Sequence, residues 1–161
     1  MDGILKTSKT LLHTKGGKVK TRKCQPSDVR AVYDLMCQLK PEMKFDFGEF
    51  KIRYNEIIAD SNRLCIVAEQ GSVIGFLELS IHIQHSLIGK RKASTIEALV
   101  VDEKARSKGS GGKLVDEAIA YAKSKDCKII QLHSNINRDD AHRFYENHDF
   151  KKGGYYFNIK F

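Results

Sequence analysis

The sequence predicts a mixed α/β fold of the α+β type: one mostly antiparallel central sheet with helices on both faces, in the order β-α-α-β-β-β-α-β-α-β-β. Three observations predict it. Leu77, Leu79, Ile81 and Ile83 alternate with Glu78, Ser80, His82 and Gln84, the period-2 pattern of a strand with one apolar face. The apolar run Ile96-Glu97-Ala98-Leu99-Val100-Val101 passes through a glycine-rich turn into a helical pattern at Leu114, Val115, Ala118, Ile119 and Ala122. A further apolar run follows that helix, and a strand–helix–strand order makes it a parallel neighbour.

Length and composition set the frame. The 161 residues suit one core, and 41% hydrophobic with 30% charged residues is the balance of a soluble globular protein. We expect a basic leader over residues 1–17 and a single domain over 18–161. No apolar run approaches the roughly 18 residues of a membrane helix, so no membrane partner is expected. Cys24, Cys37, Cys65 and Cys127 are widely spaced without a metal or redox pairing, as in buried thiols of a cytoplasmic protein. The net charge of +8 would suit nucleic acid, but Lys6, Lys9, Lys15, Lys18, Lys20, Arg22 and Lys23 against Asp2 supply six of those charges. Nucleic acid is therefore the weaker reading.

Taken in order, residues 1–17 show no sustained period and end in Gly16-Gly17. Residues 19–24 read as a first strand. Pro26-Ser27-Asp28 starts a helix on which Val29, Val32, Tyr33, Met36 and Leu39 recur until Pro41. Phe45, Phe47, Phe50, Tyr54, Ile57 and Ile58 mark a second helix over 47–60, either packed in the core or, with the first helix, walling an acceptor. Residues 63–69 and 73–83 form a hairpin about Gln70-Gly71-Ser72, whose polar face could look into a cleft. Residues 86–92 read as a basic loop, and 93–101 as the central strand. The third helix ends near Lys125, a strand covers 127–133, and a fourth helix starts at Asp139-Asp140 and runs over 141–147. Phe150 and residues 155–161 read as final strands about Gly153-Gly154.

The turn between central strand and third helix holds Arg106, Ser107, Lys108, Gly109, Ser110, Gly111 and Gly112. Glycines admit close backbone approach, and a helix start offers unpaired N–H groups and partial positive charge, so the turn suits a phosphate. It is not a P-loop, because Ser107 and Leu114 stand where glycine and Ser/Thr are needed. Nor is it a dinucleotide fingerprint, whose third glycine would be Leu114.

Arg106, Gly109 and Gly111 fill the Arg/Gln-x-x-Gly-x-Gly/Ala pattern, and Ala141-His142-Arg143-Phe144-Tyr145 with Asp149-Phe150 fills a second marker. Together they resemble the Gcn5-related N-acetyltransferases (GNAT) over residues 19–161. Within that family, residues 31–33, 39–40, 97–101 and 135–145 are similar to bacterial aminoalkylphosphonate N-acetyltransferases. The resemblance implies acetyl-CoA as cosubstrate and a primary amine of a small molecule as acceptor, with a homodimer compatible. Rival readings are a protein or peptide amine acceptor, or a non-catalytic CoA-sensing or nucleic-acid-binding module. The chain departs from the pattern at Glu103 for proline, Ser107 and Asp149 for glycine, and Arg138 for asparagine. The two lost glycines are of little consequence if φ is ordinary there. Asn135 or Asn137 would replace the lost asparagine, and Asn137 is taken as the cofactor contact.

Acyl transfer needs a neutral amine, a stabilised oxyanion and a proton for the thiolate. An alkyl amine with pKa about 10.4 must shed a proton, so Glu97 is the first candidate base and Glu78 the second. For Glu97 the alternative is a charge on a polar strand face, and a bulge could decide its direction. The resemblance implies that the backbone of Leu99, Val100 and Val101 pairs with the pantetheine arm and donates to the thioester oxygen. Tyr145 is the candidate acid, against a tyrosine packed on the last strands. The diphosphate would sit on N–H groups from Ser107 to Gly112, beside Arg106 and Lys108. His82, His85, His133 and His142 do not form a metal set, and no metal is expected. Arg53, Lys90, Arg91 and Lys92 could meet an anionic acceptor, but solvated surface charge is the stronger reading.

Overall fold

The computed structural model describes residues 17–159 and 161. All but the last residue of the expected leader therefore lies outside the described residues. The elements are β1 (Lys20–Lys23), α1 (Val29–Leu39), α2 (Phe47–Ala59), β2 (Arg63–Glu69), β3 (Val73–Ser86), β4 (Gly89–Val101), α3 (Ser110–Ser124), β5 (Ile129–Leu132) and α4 (Asp139–Glu146). The strands form one sheet in chain order, antiparallel throughout except for the parallel β4–β5 pair.

Two cores sandwich the sheet. β2 is buried on both faces, and its alternation divides them: Leu64, Ile66 and Ala68 face α3, whereas Cys65 and Val67 face α1 and α2. On the α3 side they meet Leu77, Leu79, Ile96, Leu114, Val115, Ala118 and Ala122. On the other side Val32, Leu35 and Tyr54 close over Phe76, Ala98 and Val100.

Local chemistry fixes the helix starts. Asp28 is buried, accepts 2.7 and 2.9 Å bonds from Arg22, and caps the Gln25 N–H at 2.8 Å. The guanidinium holds its carboxyl below the usual range. Asp46 Oδ1 caps α2 by accepting from the Glu49 N–H at 2.9 Å. The aromatic residues around α2 are packing residues: Tyr33 meets Phe47 and Phe50 edge-on, with centroids 5.1 and 5.3 Å apart, and its hydroxyl donates to the Phe45 carbonyl.

Two expectations fail. Residues 86–92 are not a loop, because His85 pairs with Lys90, Gln84 with Arg91 and Ile83 with Lys92. Only Leu87 and Ile88 turn the chain, before Gly89 at φ 145°. The charges there sit on a paired hairpin arm, where Arg91 donates to Gln84 across the strands at 2.8 Å. The expected final strands are also not formed among the described residues: residues 151–159 join no ladder, and Tyr155 and Phe157 stand in solvent. Alternation alone makes no strand, whose N–H and C=O groups must also be paired in a ladder. Phe150 is instead held by its N–H on the Tyr145 carbonyl at 3.1 Å and packs against the α3-side core.

Candidate active site

The central feature is a bulge in β4. Glu78 pairs with Ala98 but its neighbour Leu79 pairs with Ile96, so Glu97 is an extra residue without a partner. Regular alternation would turn Glu97 and Ala98 to opposite faces. With the bulge, Ala98 enters the α1–α2 core and Glu97 meets Ser80, on the face that also carries Glu78. Ser80 Oγ donates to Glu97 Oε1 at 2.5 Å.

At the same point the other edge of β4 opens. The β4–β5 ladder ends at Ile96–Leu132, while β4 continues to Val101. Leu99 packs towards α3 and Val100 is buried towards α1 and α2, so their side chains fix the strand and its backbone borders the opening. Leu99, Val100 and Val101 therefore lie where an extended ligand can pair with main-chain N–H and C=O groups.

The two candidate carboxylates differ in environment. Glu97 is exposed apart from its bond to Ser80. Glu78 is mostly buried and ion-paired to Arg63, which also approaches Asp60 at 3.5 Å. Burial pushes the Glu78 carboxyl up, Arg63 pulls it down, and nearby Glu97 adds to the rise; burial prevails and the net direction is upward.

Below the open edge lies the turn into α3. Ser107 has φ 66° and Gly109 φ 77°. The helix starts without a side-chain cap, which leaves first-turn N–H groups at Ser110, Gly111 and Gly112 free for an anion. Ser110 is 1% exposed with its hydroxyl unpartnered, and the hydroxyl of Ser134, two residues past β5, is likewise buried and unsatisfied. Arg106 folds back so that Nε donates to the Val101 carbonyl at 3.3 Å; Lys108 is exposed.

Gly111 and Gly112 have a second role that their spacing did not reveal. A Cβ at 111 would sit 3.3 Å from the Phe144 ring, and one at 112 would come within 2.9 Å of His148 Nε2. These glycines let α3 and α4 close together. An uncapped helix start, an open strand edge and two orphaned buried hydroxyls fit a long phosphate-bearing ligand such as acetyl-CoA.

α4 carries Tyr145 between Phe144 and Phe150, at centroid distances of 5.3 and 5.7 Å. Burial pushes its phenol above the ordinary value, and the positive charge of Arg138 opposes the rise. Asn137 is exposed, whereas Asn135 organises the turn: its side chain accepts from the Asn137 N–H at 2.9 Å, and its carbonyl accepts from the Arg138 N–H at 3.1 Å. His142 Nε2 also lies 2.9 Å from that carbonyl. Ser80, Arg63 and Ser134 carry no signal of their own in the sequence: Ser80 is one of several residues on a polar strand face, and Ser134 belongs to no motif. Among the described residues no group of three or more His, Cys, Asp or Glu is placed to hold a metal ion. Nor is any helix there long and apolar enough to cross a membrane.

Comparison with known proteins identifies the family. Residues 29–150 match the acetyltransferase (GNAT) family. The aminoalkylphosphonate N-acetyltransferase of Salmonella typhimurium is 28% identical over 137 residues, 84% of this chain and 87% of the relative. The glucosamine 6-phosphate N-acetyltransferase of Arabidopsis thaliana is 30% identical over 121 residues, 73% of this chain and 81% of the relative. An aminoglycoside N-acetyltransferase solved in complex with CoA shares the fold, with a TM-score of 0.80 at 16% identity over 92% of this chain and 98% of its own. The chain belongs to the acetyltransferase (GNAT) family and is an acyltransferase that takes its acetyl group from acetyl-CoA.

Proposed function

We propose that this enzyme acetylates the primary amine of a small molecule bearing an anionic phosphorus group, an aminoalkylphosphonate in the leading case. The observation that carries the reading is the coincidence of the Glu97 bulge with the end of the β4–β5 ladder. One side of β4 there offers a base and the other an open edge for the donor. Both curated relatives described above are named for amines that carry a phosphonate or phosphate.

Acetyl-CoA supplies the activated acetyl thioester. Glu97, exposed and oriented by Ser80, takes the proton that the attacking amine must lose. Main-chain N–H groups of Leu99 to Val101 donate to the thioester oxygen as negative charge develops there. Tyr145, kept protonated by burial, gives the proton to the departing thiolate. N–H groups at Ser107 to Gly112, with Arg106 and Lys108, hold the diphosphate, and Asn137 contacts the cofactor from the turn before α4. Glu78, already paired with Arg63, shapes the acceptor side instead of acting as base. We take residues 18–161 as one catalytic domain, and the unpaired cysteines as suited to a reducing cytoplasm.

Thiol release from acetyl-CoA, followed over aminoalkylphosphonates, glucosamine 6-phosphate, aminoglycosides, polyamines and peptides, tests the reading. The highest kcat/KM is expected for an aminoalkylphosphonate. A preference for peptides would move the acceptor to protein amines. CoA binding with no thiol release from any amine, or salt-sensitive DNA binding in its place, would overturn the catalytic reading.

A further inference from the structure

The β3–β4 hairpin outruns the rest of the sheet. The β2–β3 ladder ends at Arg63–Ser80, and β5 reaches β4 no further out than Ala93–Ile129 and the 2.8 Å bond from the Lys128 N–H to the Lys92 carbonyl. Beyond that point, among the described residues, Gln84–Arg91, His85–Lys90 and Ser86–Gly89 pair only with each other. The result is a two-stranded arm, about 14 Å from Ile83 to Leu87 at the strand rise. At its turn Leu87 and Ile88 are fully exposed, so the tip is a pair of adjacent aliphatic side chains.

The arm is as one-sided in charge as its tip is in polarity. Residues 79–96 hold Lys90, Arg91 and Lys92 and no Asp or Glu. At the root, Lys125 and Lys128 flank one acid, Asp126. Cross-strand partners share a face, so Lys90 and Lys92 stand with His85 and Ile83 on one side of the ribbon. Arg91 stands on the other with Gln84, to which it donates at 2.8 Å. Positive charge therefore lies on both faces, roughly 7–14 Å behind an apolar tip.

We propose that this arm docks the enzyme on an anionic lipid bilayer: Leu87 and Ile88 enter the boundary between headgroups and acyl chains, and Lys90, Arg91 and Lys92 lie among the lipid phosphates. Apolar side chains of peripheral proteins bury about 5–10 Å into that boundary, which leaves the three cations level with the phosphates. The long Lys and Arg stems take up the remaining distance. A fluid bilayer surrounds the tip and meets both faces of the ribbon, whereas an acidic protein surface would meet one. Duplex DNA would take the cations but admit two adjacent aliphatic side chains only by unstacking base pairs. Peripheral contact of this kind needs no membrane-spanning run, and because it combines two weak signals it is reversible. Glu97 lies about 30 Å from the tip along β4, so the acetylation site stays in water and turnover is independent of docking.

The chain contains no tryptophan, so Leu87→Trp in the full chain puts a single fluorescent reporter at the tip. Expected on adding mixed phosphatidylcholine–phosphatidylglycerol vesicles are a blue shift and quenching by brominated acyl chains, with neither on adding phosphatidylcholine vesicles or duplex DNA. Co-sedimentation with the anionic vesicles should weaken as salt rises from about 0.1 to about 0.5 M. It should fall by about tenfold or more in Leu87→Ser/Ile88→Ser, which removes the apolar tip. That variant changes only exposed side chains, and its far-UV circular dichroism and CoA affinity should equal those of the wild type. An unshifted spectrum with anionic vesicles overturns the proposal, as does an equal shift with phosphatidylcholine alone. A shift on duplex DNA in place of vesicles makes the arm a nucleic-acid ribbon and overturns it. A serine variant that sediments like the wild type puts the membrane contact elsewhere on the chain and overturns it too.

Discussion

Ser80 and Glu97 are joined by a 2.5 Å hydrogen bond that exists only because the β4 bulge turns Glu97 to the Ser80 face. Without the extra residue, Glu97 and Ala98 would occupy opposite faces. Replacing Glu97 by Gln keeps the shape and the bond from Ser80 but removes the base. At neutral pH, kcat/KM should fall by about 100-fold or more, the usual scale of general-base catalysis. The affinity for CoA should stay within about twofold, because the open β4 edge is intact. The deficit should shrink as pH approaches about 10, where the amine deprotonates unaided. A uniform deficit at all pH values would show that Glu97 only positions the acceptor.

That relationship also marks the limit of what the sequence discloses. Apolar spacing located α1, α3 and the β2–β3 hairpin because each buries a continuous stripe: Val29, Val32 and Leu35 on α1, or Leu114, Val115 and Ala118 on α3. The glycine turn and the Tyr145 element were legible because their spacing is local. A bulge is not local, since it is a property of the register between β3 and β4. The arm at residues 86–92 is illegible for the same reason: its charges resemble a loop, and only the cross-strand pairing makes it a hairpin. Residues 155–159 carry strand alternation but join no ladder.

Glu78 should reveal itself through pH-dependent stability. Burial raises its folded-state pKa over the ordinary 4.5, so the folded protein binds this proton more tightly than the unfolded chain. Its stabilising contribution is complete below about pH 4.5 and is lost as pH rises through the folded value. Relative to the wild type, Glu78→Gln should be least favourable at the acid end and improve towards neutrality. Thermal melts of both proteins across that range measure the gap. A gap that widens as pH rises would mean that the ion pair with Arg63 outweighs burial.

Asp149 occupies a left-handed conformation, φ 65°, where the family pattern has glycine, and Ser107 does the same at 66°. The substitutions therefore carry a cost that ordinary φ values would have spared. A left-handed L-residue is disfavoured by about 1–2 kcal/mol, somewhat less for Asp, so Asp149→Gly should stabilise by about 0.5–1 kcal/mol. For a chain of this length the melting temperature should rise by about 1–3 °C. Asp149 is exposed and its N–H already bonds the Glu146 carbonyl, so no buried contact is lost. Unchanged or lowered melting would mean that the chain entropy added by glycine outweighs the relieved strain.

Tyr145 offers the sharpest separation between packing and chemistry. Its ring sits between Phe144 and Phe150, and phenylalanine preserves those edge contacts. Burial raises the phenol pKa, so the proton is retained throughout the neutral range and is available when a thiolate leaves. The transfer is uphill from a phenol near 10 to a thiol near 8.5, but small enough to be crossed within a bound complex. Tyr145→Phe should therefore lower kcat by about 10- to 100-fold, with CoA affinity and melting temperature nearly unchanged. Kinetics with a thioester donor of lower leaving-group pKa refine the test: a better leaving group needs less help, so the variant's deficit should narrow. If kcat is unchanged with acetyl-CoA, Tyr145 is a packing residue and the thiolate takes its proton from water.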